Sequence, residues 1–507
     1  MDMTILIYLS SGLFLGWSLG ANDAANVFGT AVGSRMVRFT TAAIISAVFI
    51  LLGAVLSGAG AAHGLGELGA LNALPGAFMT ALAAAITVYW MTRLGLPVST
   101  TQAVVGAIVG WNVFSGSITD MGALTKIVGT WVAAPILGAI FSALLYKLII
   151  KVIQAAKIHL ISLDAFTRIG LVLAGAFGAY SLGANNIGNV MGVFVSSSPF
   201  TDFSLAGLAT ITSVQQLFLV GAIAIGVGVF TYSKKVMMTV GDSLLPLSPV
   251  AAWVVVIAQS IVLFLFASTS LEHTLLAAGL PTIPLIPVSS SQAVVGAVIG
   301  IGLMHGKKGA KLIRWRVLGG IASGWVSTPI ISFLICFIML FFLQNVFNQQ
   351  VYKPVYFSLT NPVIEQLAKN GIASEPLLAL KGQRIESGIA FRDAVRAQAD
   401  FSDKDIEEIL AEAEIYPMNI AAEKVRLLDR DYLSKAQVEA VQGLTGKEYE
   451  HKWQLQAALA AQTDEWKKKE ASALNKLYNK KLGQQLQYLE STFEATTDRQ
   501  GATRRLH

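Results

Sequence analysis

The feature that most constrains the fold is a series of apolar runs before Leu343. A helix of about 20 apolar residues crosses the hydrocarbon core of a bilayer. Up to Leu343 the chain carries only 15 Lys+Arg and 8 Asp+Glu, against 22 and 23 from Gln344 onward. These patterns predict an all-α polytopic membrane protein with a soluble, mostly helical C-terminal extension. The predicted spans are 4–32, 40–61, 74–92, 94–114, 127–150, 169–195, 205–232, 244–268, 284–304 and 317–343.

The positions of the basic residues predict the orientation, because Lys and Arg concentrate in cytoplasmic loops. If the N-terminus is outside, 14 of these 15 basic residues face the cytoplasm, and Lys126 alone lies outside. We therefore expect a multi-pass protein of the cell (inner or plasma) membrane with both termini outside. The basic residues of this part of the chain lie between the predicted spans, so the net charge of +6 does not indicate nucleic-acid binding.

The spans contain an internal repeat. SLGANDAANVFG at 18–29 recurs as SLGANNIGNVMG at 181–192, and WVAAPI at 131–136 recurs as WVSTPI at 325–330. Between them, PVSTTQAVVGAIVG at 97–110 recurs as PVSSSQAVVGAVIG at 287–300. Five spans in each half is an odd number, so the second half must be inverted in the membrane. Inverted-topology repeats with broken or re-entrant helices are typical of secondary transporters. The predicted segments are 1–160, 161–343 and the extension 344–507.

The PVS motifs predict a break in the fourth span of each half. Proline suits the first helical turn and disfavours helix in the residue before it. New half-helices should therefore begin near Ser99–Thr101 and Ser289–Ser291. Free N–H groups and hydroxyls at a helix start make an oxyanion site. The alternative is that the hydroxyls only cap kinked helices or join neighbouring ones.

The GAN motifs place polar residues deep in an apolar span. Asp23 is the one carboxylate at such a depth, and an ionisable residue there indicates function. A carboxylate with amide oxygens can bind Na⁺ or take up a proton. The alternative is a packing seam of small residues with amide hydrogen bonds. The candidate cation-coupling residues are Asn22, Asp23, Asn26, Asn185, Asn186 and Asn189.

No HExxH, Walker or GxSxG motif appears, and the spans hold no pair of carboxylates for acid–base catalysis. We therefore expect no enzyme activity and no cofactor.

The doubled motifs GANDAANVFGTAVG and PVSTTQAVVGA resemble the inorganic phosphate transporter family of phosphate:cation symporters, over about residues 5–343. The resemblance implies alternating-access import of phosphate coupled to Na⁺ or H⁺, with Na⁺ near Asn22, Asp23, Asn185 and Asn186. Sulfate, or another tetrahedral oxyanion, is the alternative substrate. Asn186 stands where many members carry Asp, so the coupling ion and its stoichiometry stay open. The implied anion ligands are Ser99, Thr100, Thr101, Gln102, Ser289, Ser290, Ser291 and Gln292.

In the extension, Asn361-Pro362 and Ser402 are predicted helix starts, and residues 446–495 are predicted to form one long helix. Its apolar stripe either packs within a helical hairpin or binds a partner or a second copy of the chain. The stripe comprises Leu474, Tyr478, Leu482, Leu486, Leu489 and Phe493.

Overall fold

The computed structural model describes residues 3–69, 71–93, 98–200, 203–205, 209–237, 247–429, 432–470 and 472–495. The chain divides into two compact units. The larger unit comprises Met1–Glu272 and Ile283–Lys353, and the smaller comprises His273–Thr282 and Pro354–His507.

Among the described residues of the larger unit, eight helical segments are long and apolar enough to cross a membrane. Each coincides with one of the predicted spans. The segments are Ile5–Gly33, Phe39–Ser57, Leu74–Arg93, Met121–Ala156, Leu160–Ser197, Ser213–Thr231, Pro249–Ala267 and Trp315–Asn345.

The two remaining predicted spans, 94–114 and 284–304, are those in which the sequence predicts a break. Each contains a shorter helix, Thr100–Ser115 of 16 residues and Ser290–Met304 of 15 residues. We call these the first and second motif helices. The predicted half-helix starts are confirmed, since Ser99 and Ser289 are extended and the helices begin directly after them. Pro97 lies outside the described residues.

The first span contains a break that the sequence did not predict. The helix Met3–Asn22 ends and Ala24–Gly33 begins on either side of Asp23. The Asp23 amide still donates to the Leu19 carbonyl at 2.7 Å, but the Asp23 carbonyl accepts the Asn26 amide at 3.0 Å, a tighter i→i+3 turn. The corresponding motif at 181–192 begins inside the unbroken helix Leu160–Met191.

Smaller elements join these helices. They are the helices Ala59–Gly66, Thr269–Ala277 and Gly306–Leu312, the 3-10 turn Gly192–Ser197, and the hairpin of Phe203–Leu205 with Ala209–Ile211.

The helix contacts keep the same pattern when the two halves of the sequence are exchanged. The first motif helix packs on Trp315–Asn345 of the second half, and the second motif helix packs on Met121–Ala156 of the first. The outer helices follow the same rule: Met3–Asn22 contacts Ser213–Thr231, and Leu160–Met191 contacts Phe39–Ser57.

Two glycines allow the motif helices to pack this closely. A Cβ on Gly106 would overlap the carbonyl oxygen of Pro329, and a Cβ on Gly296 would overlap that of Pro135. The kink prolines of the WVxxPI repeats therefore lie against the motif helix of the opposite half.

The smaller unit contains short β-strands besides its helices. Tyr356–Ser358 pairs antiparallel with Arg384–Glu386 and with Glu414–Ile415, and Met418–Asn419 pairs with Glu448–Tyr449. The helices are Asn361–Lys369, Gly388–Arg396, Asp403–Ala413, Ala422–Arg426, Lys435–Gln442, Lys452–Gln462 and Ala473–Phe493, with 3-10 turns at Pro376–Leu380 and Asp464–Trp466.

Both predicted helix starts in this unit are confirmed. Pro362 lies in the first turn of Asn361–Lys369, and Ser402 caps Asp403–Ala413 through a capping box with Asp405.

The single long helix over 446–495 is wrong. Thr463 is extended and ends the helix Lys452–Gln462, and a 3-10 turn then places Trp466 in the core at 3% exposure. Burial of a tryptophan outweighs the cost of interrupting a helix.

The apolar stripe faces its own unit: Leu482, Leu486, Leu489 and Phe493 are buried in one cluster with residues 418–466. Packing within the unit is thus the interpretation that the structure favours. The Leu474 side chain lies outside the described residues, and a role in oligomerisation or partner binding stays a prediction.

Candidate functional site

The site is built at the two motif-helix starts. The Ser99 hydroxyl accepts a hydrogen bond from the backbone N–H of Gln102 at 3.4 Å. The Ser289 hydroxyl accepts one from the backbone N–H of Gln292 at 3.3 Å. Ser289 and Ser291 hydroxyls also lie 3.0 Å apart. Helix capping therefore accounts for one serine in each motif and leaves the other polar side chains to be explained.

The next hydroxyl of each motif lies beside Asp23. The Thr100 hydroxyl donates to the Asp23 carboxylate at 3.5 Å, and the Ser290 hydroxyl is also hydrogen-bonded to that carboxylate. Asn26 donates its amide to the Ser290 oxygen at 3.4 Å. One carboxylate thus contacts both motifs, which lie 190 residues apart in sequence.

All eight motif side chains are shielded from solvent, at 5% exposure or less. They are Ser99, Thr100, Thr101, Gln102, Ser289, Ser290, Ser291 and Gln292. Asp23 is 3% exposed. The conformation is therefore one in which these groups are closed off from water.

The GAN motif of the second half holds these parts together. Asn186 donates to the Asp23 carboxylate at 3.1 Å, and Asn189 donates to the Thr101 hydroxyl at 2.8 Å. The Asn185 amide clamps the backbone of Val288, donating to its carbonyl at 2.7 Å and accepting its N–H at 2.9 Å. Asn185 also donates to Asn186. Sequence-distant motifs thus form one hydrogen-bonded network.

Asn22 stands apart from this network. Among the described residues, its side chain makes no hydrogen bond to the other candidate ligands, and it lines a cavity with Trp17, Tyr89 and Arg93. The five other candidate cation residues lie within the network.

Gln259 adjoins the site, although it is not among the residues predicted from the sequence. It is fully buried in Pro249–Ala267, and its amide donates to the Asn26 carbonyl at 2.7 Å. The signal was present, because a glutamine inside VVVIAQSIVLF is as unexpected as an aspartate in the first span.

The charge of the site is unusual for one that binds anions. Within the described part of the chain, no lysine or arginine forms an ion pair with Asp23. Several buried amide oxygens have no hydrogen-bond partner there: Gln102 Oε1, Gln292 Oε1, Asn189 Oδ1 and Gln259 Oε1. Carboxylate, hydroxyl and amide oxygens are the ligands of hard cations, so the donor set suits a cation such as Na⁺.

The profile of the phosphate transporter family matches residues 19–282 and 275–493. A protein of Methanocaldococcus jannaschii named "Putative phosphate permease" is 26% identical over 339 residues, 67% of this chain and 97% of that protein. A Haemophilus influenzae protein of the same name is 23% identical and covers 66% of this chain and 96% of its own length. A solved structure titled "The sodium-dependent phosphate transporter" aligns with a TM-score of 0.53 and 23% identity, over 68% of this chain and 99% of that one. The alignment shows a shared fold.

Proposed function

Because the chain belongs to the phosphate transporter family, we propose that it imports inorganic phosphate by symport with a cation. It is a multi-pass membrane protein. The observation that carries the proposal is the convergence on Asp23: its carboxylate accepts from Thr100 of one half and Asn186 of the other, beside Ser290. A buried acid held by both halves is placed to link anion binding to cation binding.

Phosphate would be held by the hydroxyls, the glutamine amides and the free N–H groups of the two motif-helix starts. Helix N-termini carry a partial positive charge that favours anions. All eight motif residues contribute to this proposed site, whereas the capping serines mainly hold its backbone in shape.

A phosphate anion near an ionised Asp23 needs compensation. At about 6 Å and an effective dielectric constant of about 20, two like unit charges repel by about 3 kcal/mol. A cation at Asp23 removes this cost, so anion and cation bind together. Asn26, Asn185, Asn186 and Asn189 would supply or orient oxygen ligands, and Asn22 would lie on the route to them.

Na⁺ is the coupling ion that the donor set favours, and the structural relative is titled sodium-dependent. A proton on Asp23 would neutralise the same charge and is the alternative. Transport with either ion makes and breaks no covalent bond in phosphate, so the proposal needs no catalytic residue.

We further propose that residues 1–160 and 161–343 are inverted repeats that rock about the site, with 344–507 as an extension and both termini outside. Each motif helix packs on a long helix of the opposite half, and this shared pattern supports the proposal. Closure of all eight motif side chains to solvent is consistent with an occluded step between two open ones.

Uptake of ³²P-phosphate into proteoliposomes tests the function. We expect accumulation that requires an inward Na⁺ gradient and persists with a hundredfold excess of sulfate. Uptake driven by a pH gradient alone would assign H⁺ as coupling ion, and competition by sulfate would favour the oxyanion alternative. Absence of gradient-driven phosphate uptake would contradict the proposal.

A further inference from the structure

The cavity next to Asn22 has features of a second anion site. Its lining includes Trp17, Ser18, Asn22, Tyr89, Arg93 and Tyr232. Asn22 in this lining is 9% exposed, and the next residue, Asp23, is 3% exposed. Through Asn22 the cavity adjoins the buried site.

Arg93 carries the positive charge of this cavity. It is the last residue of Leu74–Arg93 and is exposed, with its guanidinium 5.7 Å from the centroid of the Tyr89 ring. Within the described part of the chain, no carboxylate pairs with it. Arginine binds phosphate oxygens in a planar, bidentate geometry, and an aromatic face holds the guanidinium without neutralising its charge.

The walls beside Arg93 are aromatic and ordered by their own contacts. The Trp17 indole donates to the Thr231 hydroxyl at 2.9 Å, and its ring lies 5.8 Å from that of Tyr232. Low-polarity walls strengthen the field of a nearby charge and raise the local concentration of the opposite ion.

The second half lacks this charge. TRLGLPVS at 92–99 aligns with TIPLIPVS at 282–289, so Ile283 takes the place of Arg93. In the proposed inverted repeat these two positions lie on opposite faces of the membrane. A basic residue at only one of them makes the two routes to the site electrostatically different.

We propose that Arg93 forms an anion-collecting site at the mouth of this cavity, where phosphate binds before or after it occupies the buried site. The inference rests on the proposed function. It makes Arg93 a determinant of phosphate affinity on one face of the membrane, and it separates this role from transport itself, which the buried network performs.

The test is the phosphate dependence of uptake by right-side-out and inside-out membrane vesicles that contain the full-length protein. For Arg93→Gln we expect KM for phosphate to rise about tenfold in one vesicle orientation only, with kcat changed less than about twofold. Arg93→Lys should restore part of the affinity, because it keeps the charge but not the bidentate geometry. High concentrations of an inert salt should shrink the difference between wild type and Arg93→Gln.

Arg38→Gln is the matched control, since Arg38 is also exposed and does not line the cavity. It should leave KM unchanged in both orientations. An unchanged KM in Arg93→Gln, an equal rise in both orientations, or a fall in kcat alone would overturn the inference. If the wild-type protein fails to move phosphate, the proposed function itself is wrong, which is a separate outcome.

Discussion

At the scale of single residues, the two GAN motifs have diverged in role. Asp23 lies at a break between two helices and accepts hydrogen bonds. Its counterpart, Asn186, lies within a continuous helix and donates a hydrogen bond to Asp23. An aspartate at both positions would put two carboxylates in contact, and like charges at that distance resist joint ionisation. The site thus contains one carboxylate at these two positions.

Asp23→Asn should abolish cation-driven phosphate uptake. The amide keeps the size of the side chain but cannot hold a charge, and we expect at least a tenfold lower initial rate under a Na⁺ gradient. Asp164→Asn is the control, because Asp164 forms an exposed ion pair with Arg168 at 2.9 Å. Gradient-driven uptake that survives in Asp23→Asn would remove the carboxylate from the coupling mechanism.

Glu490 makes the smaller unit sensitive to pH. Burial raises the pKa of this carboxyl above its usual value of 4.5, although Gln456 and Lys452 oppose the shift. The folded state therefore holds the proton more tightly than the unfolded state does. Its stability falls as the pH rises from the unfolded pKa towards the raised one.

Glu490→Gln should remove this decline, since the glutamine oxygen can still accept the 2.9 Å hydrogen bond from Gln456. Hydrogen-exchange protection of Ala473–Phe493 in the full-length protein, compared at pH 5 and pH 7.5, measures the effect. We expect greater protection than in wild type at pH 7.5 and no gain from exposed Glu365→Gln. Lower protection in Glu490→Gln at pH 7.5 would show that the carboxylate stabilises the fold.

At the scale of elements, the motif helices are positioned by the opposite half of the chain. Each packs on the long helix that contains the other half's WVxxPI proline. Asn189 of the second half donates to Thr101 of the first motif, and Asn26 of the first half donates to Ser290 of the second. Movement of one half relative to the other must therefore change the geometry of both motif-helix starts.

Gly106→Ala and Gly296→Ala should each destabilise the membrane unit. The added Cβ overlaps a proline carbonyl oxygen, and overpacking of this kind costs about 1–3 kcal/mol. Thermal unfolding of the purified protein in detergent should show a lower midpoint for both variants.

Gly129→Ala provides the matched control inside a helix. No heavy atom lies within 4 Å of a Cβ at Gly129, so only helix propensity changes, in favour of alanine by up to about 1 kcal/mol. A loss of stability in Gly129→Ala as large as in Gly106→Ala would mean that close backbone packing is not the cause.

At the scale of the whole molecule, the membrane unit ends later than the last span. The Trp111 indole donates to the Val351 carbonyl at 3.1 Å, and Val351 is fully buried. Asn72 makes two hydrogen bonds of 2.9 Å with the backbone of Lys353. Residues 344–353 are therefore part of the fold that carries the site.

A chain ending at Lys353 should transport phosphate as the full-length protein does, with KM within about twofold. A chain ending at Leu343 leaves the buried Trp111 indole without its partner, at about 1–3 kcal/mol, and removes the partner of Asn72. We expect a lower unfolding midpoint and lower uptake for the shorter chain. Equal stability of the two chains would show that residues 344–353 contribute nothing to the membrane unit.

The sequence by itself determined the local features of this protein. Apolar length, the proline-serine helix starts and the isolated Asp23 each follow from the properties of a few adjacent residues in a membrane. These features were enough to predict the eight described segments that are long and apolar enough to cross a membrane, both half-helix starts and most of the residues that meet at the site. Predictions of this kind do not depend on which distant segments of the chain pack against these residues.

Only the tertiary structure decided what depends on partners distant in sequence. It decided the break at Asp23, the separation of Asn22 from the network, the role of Gln259, and the interruption of the long helix by buried Trp466. At the Asp23 break and at Trp466, hydrogen bonds or burial of a side chain outweigh local helix propensity, which amounts to less than 1 kcal/mol for most residues. Whether an amide faces a carboxylate, a carbonyl or a cavity is determined by those contacts.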